Sequence, residues 1–259
     1  MSQAILITGP TPQDRLVWAV AEADTLSRSG EVDALARVPK TVRNADQLTV
    51  ILRGDRAATR RIPLPVRGEK ALNEAAQLAF EDVLSDGVED FHFAFGDPDE
   101  SGARLVSAIP AGYLADWLDA IEDEGMDPEL MTVDHLALWT EEYDTLVLEW
   151  DDYAVARLPN GGLSGDKNII RMLMEKMDKG ASILPMSLGE TSLKPAIDGV
   201  DGLALADERA LAAFYLSGFP TRLPPTFRRG RFARRRDWVG LVRPWRLSAG
   251  LMAACFGVW

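Results

Sequence analysis

The sequence predicts a fold of mixed α-helices and β-strands arranged in two lobes, of either the α/β or the α+β class. Apolar runs of strand length alternate with amphipathic helices, and this grouping repeats after a polar stretch at residues 141–144. The chain before Arg222 holds about 220 residues, which is enough for one large domain or two small ones.

The first half contains most of the expected strands. Their apolar runs lie at residues 4–8, 15–21, 48–52, 58–62, 90–95, 104–109 and 130–133. The Gly-Asp pair within residues 53–56 predicts a hairpin turn between the third and fourth of these. Helices are expected at residues 68–84 and 110–124, where apolar residues recur every three or four positions. Asp134 can cap a short helix that ends near Trp139.

The second half begins with a hairpin. Residues 145–150 and 153–158 are strand-like and bracket Asp151 and Asp152. Residues 160–162 predict a turn, and residues 166–179 a helix that Gly180 ends. Residues 182–206 are weakly patterned and allow two short strands, and a last helix is expected at residues 206–216.

The charge reverses near the end of the chain. Residues 222–259 carry nine arginines and one acid, whereas the preceding body carries 19 basic and 39 acidic residues, a net charge of −20. Nucleic-acid phosphates and anionic bilayers repel such a body, so neutral or basic protein surfaces are its natural partners. The single cysteine, Cys255, excludes a disulfide within one chain, and the N-terminal residues lack the features of a signal peptide.

We predict no catalytic, cofactor-binding or metal site. His92 and His135 have no second ligand at metal spacing, and a packed histidine is the expected role of His92. Residues 160–168 (NGGLSGDKN) resemble a phosphate loop, but Asp166 separates the last glycine from the lysine, which favours a turn into a helix cap. The acidic runs are expected to be solvated surface.

The basic segment leads into thirteen uncharged residues, 247–259. Arginine and tryptophan before an apolar run are typical of the cytoplasmic flank of a membrane helix. A span needs about 20 residues, so we expect a truncated start of a transmembrane helix here. The expected membrane-flanking residues are Arg234, Arg235, Arg236, Trp238, Arg243, Trp245 and Arg246. Two alternatives stay open: a terminal helix folded back on the body, and a tail that binds RNA or single-stranded DNA.

Several ordered stretches resemble one family. They are IPLP at 62–65, KALNEA at 70–75, LAFEDVL at 78–84, VEDFHFA at 88–94, LADWL at 114–118 and FRRGRFARR at 227–235. Together they resemble the cytoplasmic part of the type II secretion system L protein (GspL). The resemblance covers roughly residues 1–250 and is thin at 180–205. Phe227 departs from the asparagine usual in the family, and the periplasmic half is missing.

The resemblance implies an actin-like (RNase H-related) two-lobed fold. It assigns residues 1–142 to lobe I, 143–221 to lobe II, 222–246 to an Arg-rich juxtamembrane stem and 247–259 to the truncated membrane helix. It also implies a single-pass protein of the bacterial inner membrane, with residues 1–246 cytoplasmic. Such a protein recruits the secretion ATPase (the E protein), contacts the M and F proteins, couples the ATPase to pseudopilus assembly, and forms a homodimer. It binds no nucleic acid.

Two further alternatives come from related folds: an actin-like ATPase or kinase-like enzyme, and a PilM-like component of type IV pilus assembly. Actin-like ATPases hold phosphates with glycine-rich hairpins. Here Pro10 removes an N–H from the first hairpin, and Trp150 and Asp151 occupy the second, which has no glycine. We therefore expect a scaffold without enzymatic activity.

Overall fold

The computed structural model describes residues 1–23, 25–84, 87–176, 183–188, 203–218 and 223–234. These residues form thirteen strands and six α-helices. The strands are β1 (Ser2–Ile7), β2 (Leu16–Glu22), β3 (Thr25–Val32), β4 (Gln47–Leu52), β5 (Ala58–Pro63), β6 (Phe91–Phe95), β7 (Ala103–Pro110), β8 (Leu130–Val133), β9 (Thr145–Trp150), β10 (Tyr153–Leu158), β11 (Gly161–Asp166), β12 (Ile183–Leu188) and β13 (Leu203–Leu205). The α-helices are α1 (Lys40–Arg43), α2 (Glu69–Phe80), α3 (Ala111–Asp123), α4 (Asp134–Ala137), α5 (Lys167–Met174) and α6 (Glu208–Gly218).

The first sheet has five strands in the order β3-β2-β1-β4-β8. β1 and β2 are antiparallel, as are β2 and β3, whereas β4 runs parallel to β1 and to β8. α3 covers one face of this sheet and buries Leu114, Trp117 and Ile121 in its core. The apolar stripe predicted for this helix is therefore its buried face.

The second sheet has eight strands in the order β13-β12-β9-β10-β11-β5-β7-β6. It takes β5, β6 and β7 from the first half of the chain and the other five strands from the second half. The sheet therefore crosses residue 142, and the division into lobes at that residue stays a prediction. What the structure establishes is a mixed α/β fold with two sheets.

Three helices cover the second sheet and the junction. α2 packs Leu72, Ala76 and Phe80 against the β5–β7 end, where the Phe80 and Phe93 rings meet edge to face at 5.6 Å. α5 buries one side against β10 and β11, and α6 contacts β2 and β3 of the first sheet. Both faces of the first sheet are thus buried, which explains the continuous apolar runs of its central strands.

The structure departs from the local predictions at three places. The proposed hairpin at residues 48–62 does not form, because β4 and β5 belong to different sheets and the 3₁₀ turn Gly54–Arg56 carries the chain between them. β3 was not predicted, since its residues are largely exposed and polar. The turn expected at residues 160–162 forms at residues 159–160, and residues 161 and 162 instead begin β11, which pairs with both β10 and β5.

Candidate functional site

Residues 223–234, which we call the strap, lie along the free edge of the first sheet. The Phe227 amide donates to the Met131 carbonyl at 2.8 Å, and the Met131 amide donates to Thr226 Oγ1 at 3.2 Å. Met131 belongs to β8, the edge strand, so the strap supplies partners that this edge otherwise lacks. The Phe227 side chain is completely buried in the core under the first sheet. The strap is therefore part of the folded body.

Acidic residues of the body hold the strap from one side. The Arg228 side chain is only 3% exposed, and its guanidinium lies 2.6 Å from Asp127 Oδ1 and 3.7 Å from Glu122 Oε1. Arg234 Nε pairs with the other oxygen of Asp127. Burial lowers the pKa of Arg228, and the two carboxylates oppose that effect. One aspartate thus binds two strap arginines.

On the other side, the strap contacts α2 and β6. The Arg229 guanidinium stacks 4.5 Å from the centre of the Phe95 ring and lies 3.7 Å from Glu69 Oε1. Arg231 stacks on Phe232 within the strap itself, 5.0 Å from the ring centre. The strap arginines therefore pair with carboxylates of the body or stack on aromatic rings.

His92 fastens the middle of the strap. Its Nε2–H donates to the Phe227 carbonyl at 2.9 Å, and its ring meets Phe232 edge to face at 4.9 Å. Burial lowers the pKa of His92 to about 4, with Arg231 and Arg229 acting in the same direction and the bond to Phe227 against it. The ring is therefore neutral at physiological pH. The prediction of a packed histidine is confirmed.

A cleft of about 310 Å³ opens where the β1–β2 loop faces the β9–β10 turn. Its lining includes Thr8, Gly9 and Pro10 from the first and Trp150 and Asp151 from the second. These are the two hairpins that the sequence compares with phosphate loops, and the fold brings them together. The volume falls within the range of small-molecule sites, so the available donors decide what can bind.

The β1–β2 loop presents few free donors. The Thr8 amide donates to the Ile51 carbonyl at 2.9 Å, and Pro10 has no N–H. The Thr11 amide and hydroxyl both donate to Asp14 Oδ2, at 2.8 and 2.7 Å. The Asp14 carboxylate therefore already accepts the hydrogen bonds that the Thr11 amide and hydroxyl could give to an anionic ligand.

The β9–β10 turn adds negative charge and bulk. Asp151 has a left-handed backbone (φ +45°) and its carbonyl accepts from Lys167 Nζ. The nearby cation Arg53 is already placed 3.7 Å over the Tyr153 ring and 3.5 Å from Asp55. A nucleotide phosphate in this cleft would meet the carboxylates of Asp14 and Asp151, while the two arginines that line it, Arg15 and Arg53, already have other partners.

A buried polar cluster joins the two sheets. Asp134 and His135 follow β8 of the first sheet, and Thr59, Tyr153 and Ser164 come from the second. Asp134 accepts hydrogen bonds from the Tyr153 and Ser164 hydroxyls, each at 2.6 Å. The two His135 nitrogens lie 2.9 Å from Ser164 Oγ and 2.8 Å from Thr59 Oγ1.

Hydrogen bonds to Asp134 and the close approach of Gly162 to His135 both define this cluster. Burial alone would raise the pKa of Asp134, but hydrogen bonds from His135, Ser164 and Tyr153 outweigh it and lower the pKa. Gly162 lies against the imidazole, since a Cβ there would come within 2.5 Å of His135 Cδ2. His135 is fully buried and both of its nitrogens have partners, so this Ser, His and Asp arrangement links the two sheets.

Of the seven expected membrane-flanking residues, Arg234 alone lies in the described part, where it pairs with Asp127. Arg235, Arg236, Trp238, Arg243, Trp245 and Arg246 lie outside the described residues, as do residues 247–259. Across the described ranges, no helix is long and apolar enough to cross a bilayer. The same residues contain no group of three His, Cys, Asp or Glu side chains that could hold a metal ion. The membrane-flanking role stays a prediction.

The family model described as type II secretion system (T2SS), protein L, matches residues 5–188. The chain belongs to this family. A type II secretion system protein L from Pseudomonas aeruginosa is 33% identical over 73 residues, which span 28% of this chain and 19% of that relative. The chain therefore matches about a fifth of the length of this curated relative.

One solved structure shows the same fold, and two more are less similar. The cytoplasmic domain of EpsL, an inner membrane component of the type II secretion system of Vibrio cholerae, superposes with a TM-score of 0.70 at 16% identity, covering 90% of this chain and all of that one. A PilM-PilN type IV pilus biogenesis complex matches with a TM-score of 0.49 at 15% identity, over 68% of this chain and 66% of that one. A Bacteroides thetaiotaomicron protein with an actin-like ATPase fold also reaches 0.49, at 10% identity over 83% and 95% of the two chains.

The sequence indicated the strap but not its contacts. The aromatic and basic residues at 227–235 carried the resemblance to the protein L family, yet their pairing with Glu69, Glu122 and Asp127 is long-range. The buried polar cluster was missed entirely. Asp134 and His135 are adjacent, but Thr59 and Ser164 are distant in sequence, and no local spacing links them.

Proposed function

We propose that this protein L family member is an inner-membrane platform component of the type II secretion system, with residues 1–246 in the cytoplasm. Its body recruits the secretion ATPase to the membrane and couples the enzyme to pseudopilus assembly. The M and F proteins are its membrane-level partners. The actin-like fold serves as a scaffold in this proposal.

The docked strap is the observation that carries this proposal. Residues 223–234 immediately precede the remaining basic residues and the uncharged run. Because Phe227 is buried and Arg228 is held by Asp127 and Glu122, the body is fixed to the chain that leads to this run. A force or rotation applied to the body by a bound partner would therefore pass to the strap. This is the property expected of a coupling element.

Charge supports a protein partner over a nucleic acid. The body carries a net charge of −20 and several strap arginines already have acidic or aromatic partners. The surface that remains is therefore strongly acidic, which favours a partner with a basic face.

The cleft supports a scaffold rather than an ATPase. Thr8 and Thr11 have internal partners for their amides, and Asp14 and Asp151 add negative charge where phosphates would lie. We expect ATP with magnesium to leave the melting temperature unchanged and to produce no heat in calorimetry. A saturable rise in melting temperature with ATP would instead favour the enzyme alternative.

The recruitment step is tested by capture of the purified secretion ATPase on the immobilised 259-residue chain. We expect retention at low ionic strength that weakens as salt is raised, because the body is acidic. An unrelated protein of similar net charge is the control for nonspecific binding. Failure of a folded chain to retain the ATPase at low salt would refute recruitment.

A further inference from the structure

α5 carries apolar side chains on two opposite sides. Ile170 and Met174 are buried against the second sheet, whereas Ile169, Met172 and Leu173 are 55%, 49% and 40% exposed. The exposed three are spaced i, i+3 and i+4, so they form one continuous patch on the helix surface. A short helix that is apolar on both sides is typical of a helix that is buried on both sides.

The charges beside this patch are arranged symmetrically in sequence. Asp166 and Lys176 each lie five positions from Arg171, on opposite sides of it, and Ile169 and Leu173 each lie two positions from it. Arg171 is turned back to the body, where its Nε donates to Glu149 Oε1 at 2.8 Å. Among the described residues Lys176 has no ion-pair partner, and the contacts of the Asp166 carboxylate are with the Asn168 and Ile169 amides that it caps.

We propose that α5 docks against α5 of a second copy of this chain, antiparallel, about a two-fold axis near Arg171. In that arrangement Ile169 of one copy lies against Leu173 of the other, and Asp166 lies against Lys176, twice by symmetry. The arrangement thus opposes apolar side chains to one another and pairs opposite charges. This assigns a surface to the homodimer that the family resemblance implies, and it does not depend on ATPase recruitment.

The expected interface is small. A stable protein–protein interface buries about 1,200–2,000 Å² in total, and one face of an eight-residue helix supplies much less. The two acidic bodies also repel each other beyond the contact. The dimer should therefore be weak for free chains and favoured where copies are concentrated.

Symmetric crosslinking tests the geometry on the whole chain in mild detergent. Cys255 is replaced by serine, and Met172→Cys places one thiol near the proposed axis. A short bismaleimide crosslinker is expected to give a covalent dimer in at least about tenfold higher yield than with Leu78→Cys, a control at a more exposed site on α2 (74%). Equal yields from the two positions would overturn the proposal.

A charge cycle tests the register. Lys176→Asp should weaken self-association about tenfold, since it places two aspartates together at both symmetric contacts. Asp166→Asn keeps a helix-capping side chain, so α5 should stay folded. Asp166→Asn should weaken the wild-type dimer slightly but strengthen the Lys176→Asp dimer. If its effect has the same sign in both backgrounds, Asp166 and Lys176 do not meet and the proposed register is wrong.

Discussion

Replacing Phe227 by alanine should loosen the strap and destabilise the fold. The ring is completely buried in the core that also holds Trp117. Truncation of a buried phenylalanine to alanine costs about 3–5 kcal/mol, including the cavity that it leaves. The backbone hydrogen bonds of residue 227 to Met131 and His92 remain possible in the variant, so the loss reports mainly the anchoring of the ring.

Two measurements on the full chain separate global from local effects. Urea unfolding followed by tryptophan fluorescence gives the change in the free energy of unfolding. Limited digestion with trypsin reports the strap, since cleavage after Arg228 requires a side chain that is now 3% exposed to become accessible. A loss of 3 kcal/mol would raise the population of the open strap by at least about a hundredfold.

Leu223→Ala is the matched control in the same segment, because Leu223 is 72% exposed and its truncation should change stability by less than about 0.5 kcal/mol. If Phe227→Ala costs less than about 1 kcal/mol and leaves the trypsin pattern unchanged, the strap is not anchored by this ring. The coupling argument built on it would then fail.

Three further predictions concern the strap and the buried polar cluster. The folded-state pKa of His92, about 4, lies below its unfolded value near 6.5, so the unfolded chain binds more protons and stability should fall between pH 6.5 and 4. Allowing for its partial exposure, we expect a loss of about 1–2 kcal/mol over this range, which His92→Gln should remove from the pH profile of urea unfolding. Asp134→Ala should lower the free energy of unfolding by about 3–5 kcal/mol in the same assay, because it leaves the buried Tyr153 hydroxyl and Ser164 without their hydrogen-bond acceptor. An equal loss for Asp134→Ala and Asp134→Asn would show that the carboxylate is not specifically needed as that acceptor. Gly162→Ala should lower the free energy of unfolding by about 1–3 kcal/mol through its clash with His135, while Gly112→Ala, with nothing within 4 Å of its Cβ, should be neutral or stabilising.

Elements with strong apolar periodicity could be predicted from the sequence. Elements whose structure depends on long-range contacts could not. α2 and α3 follow from their apolar stripes, and Asp166 caps α5 through the amides of Asn168 and Ile169, as the helix-cap interpretation required. By contrast, β3 is an exposed polar edge strand whose pairing with β2 leaves no apolar alternation. β11 begins with glycines that indicate a turn, although Gly162 is required by the approach of His135 from α4.

The candidate site shows the same division. The two loops of the cleft and the basic segment were visible as local composition, and their chemistry could be argued from Pro10, Trp150 and the arginines. Their spatial partners could not, because an acid at Asp127 or Glu69 is one of 40 in the chain, with nothing local to single it out. Asp127 and Glu69 can be distinguished from the other acids only in the folded structure, where they lie beside the strap arginines.

Flotation with lipid vesicles tests the central claim most directly. The 259-residue chain is mixed with vesicles of bacterial inner-membrane lipid composition, the purified secretion ATPase is added, and the vesicles are floated through a density gradient. The account predicts that the ATPase rises with vesicles that hold the chain and stays at the bottom with bare vesicles. An ATPase that stays at the bottom while the folded chain floats would contradict the proposal that this protein recruits it to the membrane.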